Sequence, residues 1–181
     1  MTDPSNEKSP KFLQQVFVGN KSWAAPVVVR LSGYHLNRFA PTQLTNLLQA
    51  NQISIEHRYF GKSKPEGPIR WETLTMKNAA HDQHVIIEQI KHALYPENRF
   101  ISTGINKGGQ TTMFHRSPYP DDVGGSVCYV APLCFGREDP RIYKFLKSVG
   151  TQAQCKQIQD FQLMCLKKKS ELLKYFEEVA F

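Results

Sequence analysis

Apolar and polar positions follow two different periods along this chain. The run Ala25-Pro26-Val27-Val28-Val29-Arg30-Leu31 is β-branched and stops at Ser32-Gly33-Tyr34, which predicts a buried strand followed by a glycine turn. Val16-Phe17-Val18 predicts a short strand before it. Pro41 to Ala50 predicts a short helix with Leu44, Leu47 and Leu48 inward, and Ile53-Ser54-Ile55 a strand that stops at Glu56 to Ser63. From Thr75 to Leu94 the positions Ala79, Ile86, Ile90 and Leu94 repeat at helical spacing, and Tyr95-Pro96 closes this crossover helix. Arg99 to Thr103 predicts the next strand, Gly104 to Gly109 a sharp turn into a helix ending near Ser117-Pro118, and Gly125 to Val130 a further strand. Strands and helices alternating at this rhythm predict βαβ units and a mainly parallel sheet. After Asp139-Pro140 the pattern turns helical. Ile142, Phe145, Leu146 and Val149 mark a short helix, and Ile158, Phe161, Cys165, Leu172, Phe176 and Val179 one long amphipathic helix.

These patterns divide the chain into a polar, proline-broken flexible leader over 1–15, an α/β core over 16–140 and a helical part over 141–181. With 181 residues, 40% of them hydrophobic and 22% charged, the chain holds enough apolar material for one core and is not of disordered composition. No apolar run approaches the ~18 residues of a membrane-crossing helix. The start, Met1 to Glu7, lacks the basic and apolar regions of a signal peptide, so a cytoplasmic protein without membrane contact is expected.

The formal charge is +7, and residues 141–181 carry 8 of the 23 basic but 4 of the 16 acidic side chains. The excess is lysine scattered on helical segments, with Lys167-Lys168-Lys169 reading as a solvated helix face. It has no zinc-ligand spacing and no basic motif flanked by aromatics, so no nucleic-acid partner is expected. The four cysteines, Cys128, Cys134, Cys155 and Cys165, form no C-x-x-C pair and have no histidine at zinc spacing, so no metal is expected. In the cytoplasm they would remain thiols.

The chemistry concentrates in Gly104-Ile105-Asn106-Lys107-Gly108-Gly109. As a phosphate loop the hexamer fails, because it lacks the Gly-Lys-Ser/Thr ending and the spacing of a dinucleotide site; no cofactor is therefore expected. Two readings fit it: an ordinary glycine-rich βα turn, or a nucleophile elbow, in which one strained residue stands at a helix N-terminus and glycines let strand and helix approach. In the second reading Asn106 is the apex.

The surrounding motifs resemble a known family. Ala50-Asn51-Gln52-Ile53 to Gly61, Trp71-Glu72-Thr73-Leu74-Thr75, Asp82-Gln83-His84, and Ser102-Thr103-Gly104 to Gly109-Gln110-Thr111 are similar, in order and spacing, to the secreted bacterial tripeptidyl aminopeptidases. These are α/β-hydrolase serine peptidases akin to the prolyl carboxypeptidase group, and the resemblance covers most of residues 12–166. It implies a three-layer α/β sandwich with a mostly parallel sheet, truncated after the start of a helical lid. It also implies a secreted ancestor that released tripeptides from free peptide N-termini through an acyl-enzyme.

The resemblance assigns roles residue by residue. Asn106 takes the nucleophile position, where the family carries serine, and its amide is no nucleophile at neutral pH. The backbone N–H of Lys107 and of the Gly33-Tyr34 turn take the oxyanion hole, with Gly104, Gly108 and Gly109 shaping the elbow. Glu56 and Arg58 brace the turn after their strand, or Glu56 reads a peptide amino terminus. The triad acid and histidine follow later strands in this fold, and no counterpart is found here. Of the local histidines, His35 beside the oxyanion turn is the plausible base. His115 lies about 13 Å along the helix from Asn106 and reads as a surface residue, His57 as a brace of its loop, and His81, His84 and His92 as crossover-helix residues. The expectation is a degenerate or truncated peptidase without activity alone; the alternatives are a noncatalytic peptide-binding protein and one piece of a split peptidase. Its partners would be a peptide, together with a C-terminal partner chain or a second copy joined through an open sheet edge.

Overall fold

The computed structural model describes residues 1–6 and 8–179, which divide into two compact units, one up to Leu133 and one from Cys134 onward. The first unit is built on a five-stranded sheet. Strands β1 (Val16–Gly19), β2 (Val27–Leu31), β3 (Asn51–Ile55), β4 (Phe100–Ile105) and β5 (Gly125–Tyr129) lie in the order β1-β3-β2-β4-β5. β1 runs antiparallel to β3, and the remaining pairs are parallel. In the register Val29 faces Ile53 on one side and Ser102 on the other. Among the described residues β5 has β4 as its single neighbour. This is the mostly parallel sheet that the alternation of strands and helices predicts.

Helices α1 (Gln43–Leu47), α2 (Met76–Leu94) and α3 (Lys107–Arg116) connect the strands. Thr42 caps α1 by accepting from Thr45 N–H, and Thr75 caps α2 by accepting from Asn78 N–H; each satisfies an amide the first turn leaves without a partner. Successive strand residues point to opposite faces, so the sheet has two different sides. On the side of α2 and α3, Val27, Val29, Leu31, Ile53, Ile55 and Phe100 pack with Ile87, Tyr95 and Val123. On the other side Val28 packs with Leu44 and Ala50, with Leu48, Ile101 and Val127 half-buried beside them. Leu47, expected inward, is 76% exposed. α1 is a turn and a half long, and Leu44 and Leu48 occupy what sheet it reaches.

Buried polar groups tie α1 down instead. Gln52 on β3 accepts from Thr42 N–H (2.7 Å) and the Thr45 hydroxyl (2.5 Å), and its amide donates to Ala40 O (2.9 Å) and Ser54 Oγ (2.8 Å). The described residues of 1–15 form no helix or strand, yet Thr2 and Ser9 are buried, and Thr2 N–H donates to Pro10 O.

The second unit carries α4 (Pro140–Ser148), α5 (Gln152–Lys167) and α6 (Lys169–Val179). Asp139 caps α4, with Pro140 in its first turn, and Thr151 and Gln154 form a capping box on α5. The Arg141 guanidinium beside Asp139 holds its carboxyl at about 2. The expected single helix from Ile158 onward is two. Lys168 leaves helical geometry at ψ 18°, in the middle of three consecutive like charges, and its carbonyl starts α6. The side chain of Val179, expected on the apolar stripe, lies outside the described residues. α4 and α5 bury no residue, and their Phe145, Leu146, Ile158, Phe161 and Leu166 are exposed. No helix among the described residues is long and apolar enough to cross a membrane.

Candidate active site

β4 runs into α3 through Asn106, whose backbone sits at φ 55°, ψ −121°. A side-chain-bearing residue held in such a region costs on the order of 1–3 kcal/mol, so surrounding structure must impose it. Close packing does so. A Cβ on Gly104 would lie 2.2 Å from Gly108 O, and one on Gly108 would lie 2.6 Å from Leu31 O; glycine alone lets α3 approach β4 and β2 this closely. Asn106 N–H donates to Tyr129 O (3.0 Å) and Asn106 O accepts from Gln110 N–H (3.0 Å). Its side chain is exposed and makes no hydrogen bond among the described residues. The apex is therefore fixed through its backbone and presents a free amide.

The turn after β2 closes on the elbow: a Cβ on Gly33 would meet Lys107 Cβ at 2.6 Å. Tyr34 N–H donates to Ser32 Oγ (3.1 Å), and that hydroxyl donates to Tyr34 O (2.9 Å). The amide of Lys107 is in the first turn of α3, where N–H groups have no intrahelical acceptor. Its ammonium lies over the rings of Tyr34 (4.8 Å) and Phe60 (4.5 Å), and burial pushes the Lys107 pKa down.

Glu56 and Arg58 lie beneath this turn. Glu56 is 1% exposed; it accepts from Leu36 N–H (2.7 Å), Lys62 N–H (3.0 Å), Ser63 N–H (2.9 Å) and the Ser63 hydroxyl (2.6 Å). With both oxygens engaged and no exposure, it has no means of reading a peptide amino terminus. Arg58, fully buried, donates to Asp82 in a fork (2.7 and 3.0 Å) and to the carbonyls of Thr73 (2.6 Å), Thr2 (3.0 Å) and Met1 (3.1 Å). Every donor of the guanidinium group thus serves the turn, the leader and α2 at once. His57 Nδ1–H donates to the Arg58 carbonyl (3.0 Å), and burial holds its pKa at about 4, so the ring is neutral at pH 7.

A cavity of about 770 Å³ opens at the carboxyl ends of β2, β4 and β5, beside Asn106. Arg30, Tyr34, His35, Thr42, Thr103 and Tyr129 contribute to its wall. His35 is exposed there and makes no hydrogen bond to Asn106. The sequence reading passed over Arg30; the signal was a charged residue inside an otherwise apolar strand.

His115 departs from expectation. It is fully buried, Nε2–H donates to Asp122 Oδ2 (2.8 Å), and Asp122 also accepts from His84 Nδ1–H (2.9 Å). Helical periodicity turns this ninth residue after the apex toward α2 rather than solvent. The four cysteines are free, and no metal-binding group of His, Cys, Asp or Glu occurs among the described residues.

A mostly parallel sheet with a helix springing from a strained elbow at its carboxyl edge defines an α/β-hydrolase. Solved structures share this fold: the enol-lactonase from Burkholderia xenovorans (TM-score 0.53, 18% identity, 90% of this chain and 62% of that one) and ferulic-acid-bound Est1E from Butyrivibrio proteoclasticus (TM-score 0.53, 14% identity, 65% and 48%). The chain belongs to the PS-10 peptidase S37 family, whose profile matches residues 1–180. It is 33% identical over 180 residues to the prolyl tri/tetrapeptidyl aminopeptidase of Streptomyces mobaraensis, covering 98% of this chain and 37% of the length of that relative.

Proposed function

We propose that this chain is a peptide-binding member of the family that does not hydrolyse what it binds. One observation carries the reading: Asn106 stands at the elbow apex. An acyl-enzyme needs an oxygen or sulfur nucleophile with a base beside it, and a carboxamide nitrogen is delocalised into its carbonyl. The histidines give no base as they stand. His57 and His115 are buried and hydrogen-bonded elsewhere, and His35 is not bonded to the apex. What the elbow retains is polarity. A peptide carbonyl laid against it would meet the Lys107 N–H and, with Tyr34 N–H engaged by Ser32, the Gly33 N–H of the facing turn.

An active-site-directed fluorophosphonate should leave the pure protein unlabelled, while calorimetry with proline-containing tripeptides and tetrapeptides should show binding. Asn106→Ser should still give no turnover of a tripeptide anilide, since a serine without base and acid retains little beyond oxyanion stabilisation. Turnover by either form would overturn the reading, as would the absence of binding. The free edge of β5 supports a second reading, in which strands of another chain complete the sheet. Light scattering that finds a stable, cooperatively melting monomer would exclude it.

A further inference from the structure

The cavity beside Asn106 is charged in one direction. None of its lining residues is Asp or Glu, and Arg30 projects from β2 on the α1 side without an ion pair or hydrogen bond among the described residues. Half-buried Arg30 shares this wall with apolar Leu31, Leu44 and Ile105. Low-dielectric walls strengthen the field of a charge they enclose. Next to the cavity, the Lys107 ammonium rests on two aromatic rings and forms no ion pair among the described residues. Glu56, the acid of the adjoining turn, is closed off and fully engaged. Thr103, the register partner of Arg30 on β4, donates its hydroxyl proton to Val127 O (2.9 Å) and makes no hydrogen bond with the guanidinium among the described residues.

We propose that this cavity takes the carboxylate of a short peptide, paired with Arg30, rather than a peptide's amino terminus. A guanidinium presents paired N–H groups that match a carboxylate in a two-point fork, and partial burial makes that pairing stronger than at an open surface. An ammonium terminus would meet the Arg30 cation and no acid in the cavity's lining. The proposal rests on the peptide-binding reading and specifies which end of the ligand is held.

The test is calorimetry on the full chain with one tripeptide in four forms: free acid, C-terminal amide, N-acetylated acid, and C-terminal amide carrying an aspartate side chain. The free acid and the acetylated acid should bind alike, and amidation should weaken binding about tenfold or more, the worth of a charge-assisted pair. Recovery of affinity by the aspartate peptide identifies a side-chain carboxylate as an accepted source. Failure of that peptide, with the amide weak, identifies the terminal carboxylate. Arg30→Gln should bring acid and amide to equal affinity, and Arg30→Lys should restore part of the difference. Equal binding of acid and amide by the unaltered chain overturns the carboxylate assignment and leaves peptide binding intact, as does a loss on acetylation. No binding of any form overturns both. The peptide comparison needs no variant, so a misfolded Arg30→Gln does not remove the test.

Discussion

The two faces of the sheet solve the same problem with different chemistry. On the α2 and α3 side, β-branched strand residues meet Ile87 and Tyr95 with no exposed area, the dry packing of a protein interior. On the α1 side a five-residue helix covers little. There Gln52 supplies four hydrogen bonds where apolar contact is sparse, and a charged side chain opens into a cavity. The comparison shows why the candidate site lies where it does. Both faces surround the same strand ends, but the first is filled to the sheet and the second leaves room for a ligand.

Truncating the covered face should do the most damage. Ile87→Ala removes a fully buried side chain and should lower unfolding free energy by about 2–5 kcal/mol in a denaturant titration, through lost transfer energy and a residual cavity. A loss below about 1 kcal/mol would mean that this face is looser than its burial implies.

Acid should strike next, at polar seams on or near that face. The folded pKa of His115 is lowered, chiefly by burial with Asp122 pulling the other way, and that of His57 is about 4. Both rings are neutral in the fold and must charge to follow the unfolded chain. Their stability contribution is therefore present above the unfolded value near 6.5 and is lost as pH falls below it, for His57 down to about 4. For His57 this amounts to about 3 kcal/mol. Protonated His115 would also carry an Nδ1–H with no partner, since that buried nitrogen has none now. Thermal melts from pH 7.5 to 4.5 should show a falling midpoint, with a shallower slope in His115→Gln. A flat profile would contradict the burial of both rings.

On the open face, Gln52→Ala leaves the Thr42 amide and Ala40 carbonyl without partners and should cost about 1–3 kcal/mol, with faster amide exchange confined to residues 40–48. Leu47→Ser, at an exposed position a few residues away, should change stability by less than about 0.5 kcal/mol. If the two changes cost the same, α1 is held by apolar contact and the contrast between faces fails.

Much of the fold was legible because it depends on local pattern. The Val27-Val28-Val29 run, the caps at Thr75 and Asp139 and the glycines around Asn106 each encode an element within a few residues. Apart from the break at Lys168 that divides α5 from α6, the misreadings concern which side of an element is covered, and periodicity gives a stripe without naming its cover. Leu47 fits the helical stripe of α1 but outreaches the sheet, and His115 reads as polar surface until α2 and Asp122 close over it. Arg30 escaped notice because its proposed role depends on a negative fact that only the fold supplies, a cavity lining without Asp or Glu.

The elbow's geometry is secured by backbone approaching backbone, Gly104 against Gly108 and Gly108 against Leu31 O, with nothing contributed by the amide of Asn106. The position is in effect a socket: its coordinates belong to the frame, and its chemistry to whichever side chain is plugged in. Serine, cysteine or aspartate installed at 106 would stand at one and the same point beside the same helix terminus. The protein thus offers a ready bench for measuring what that location does to a nucleophile before any catalytic neighbour acts on it.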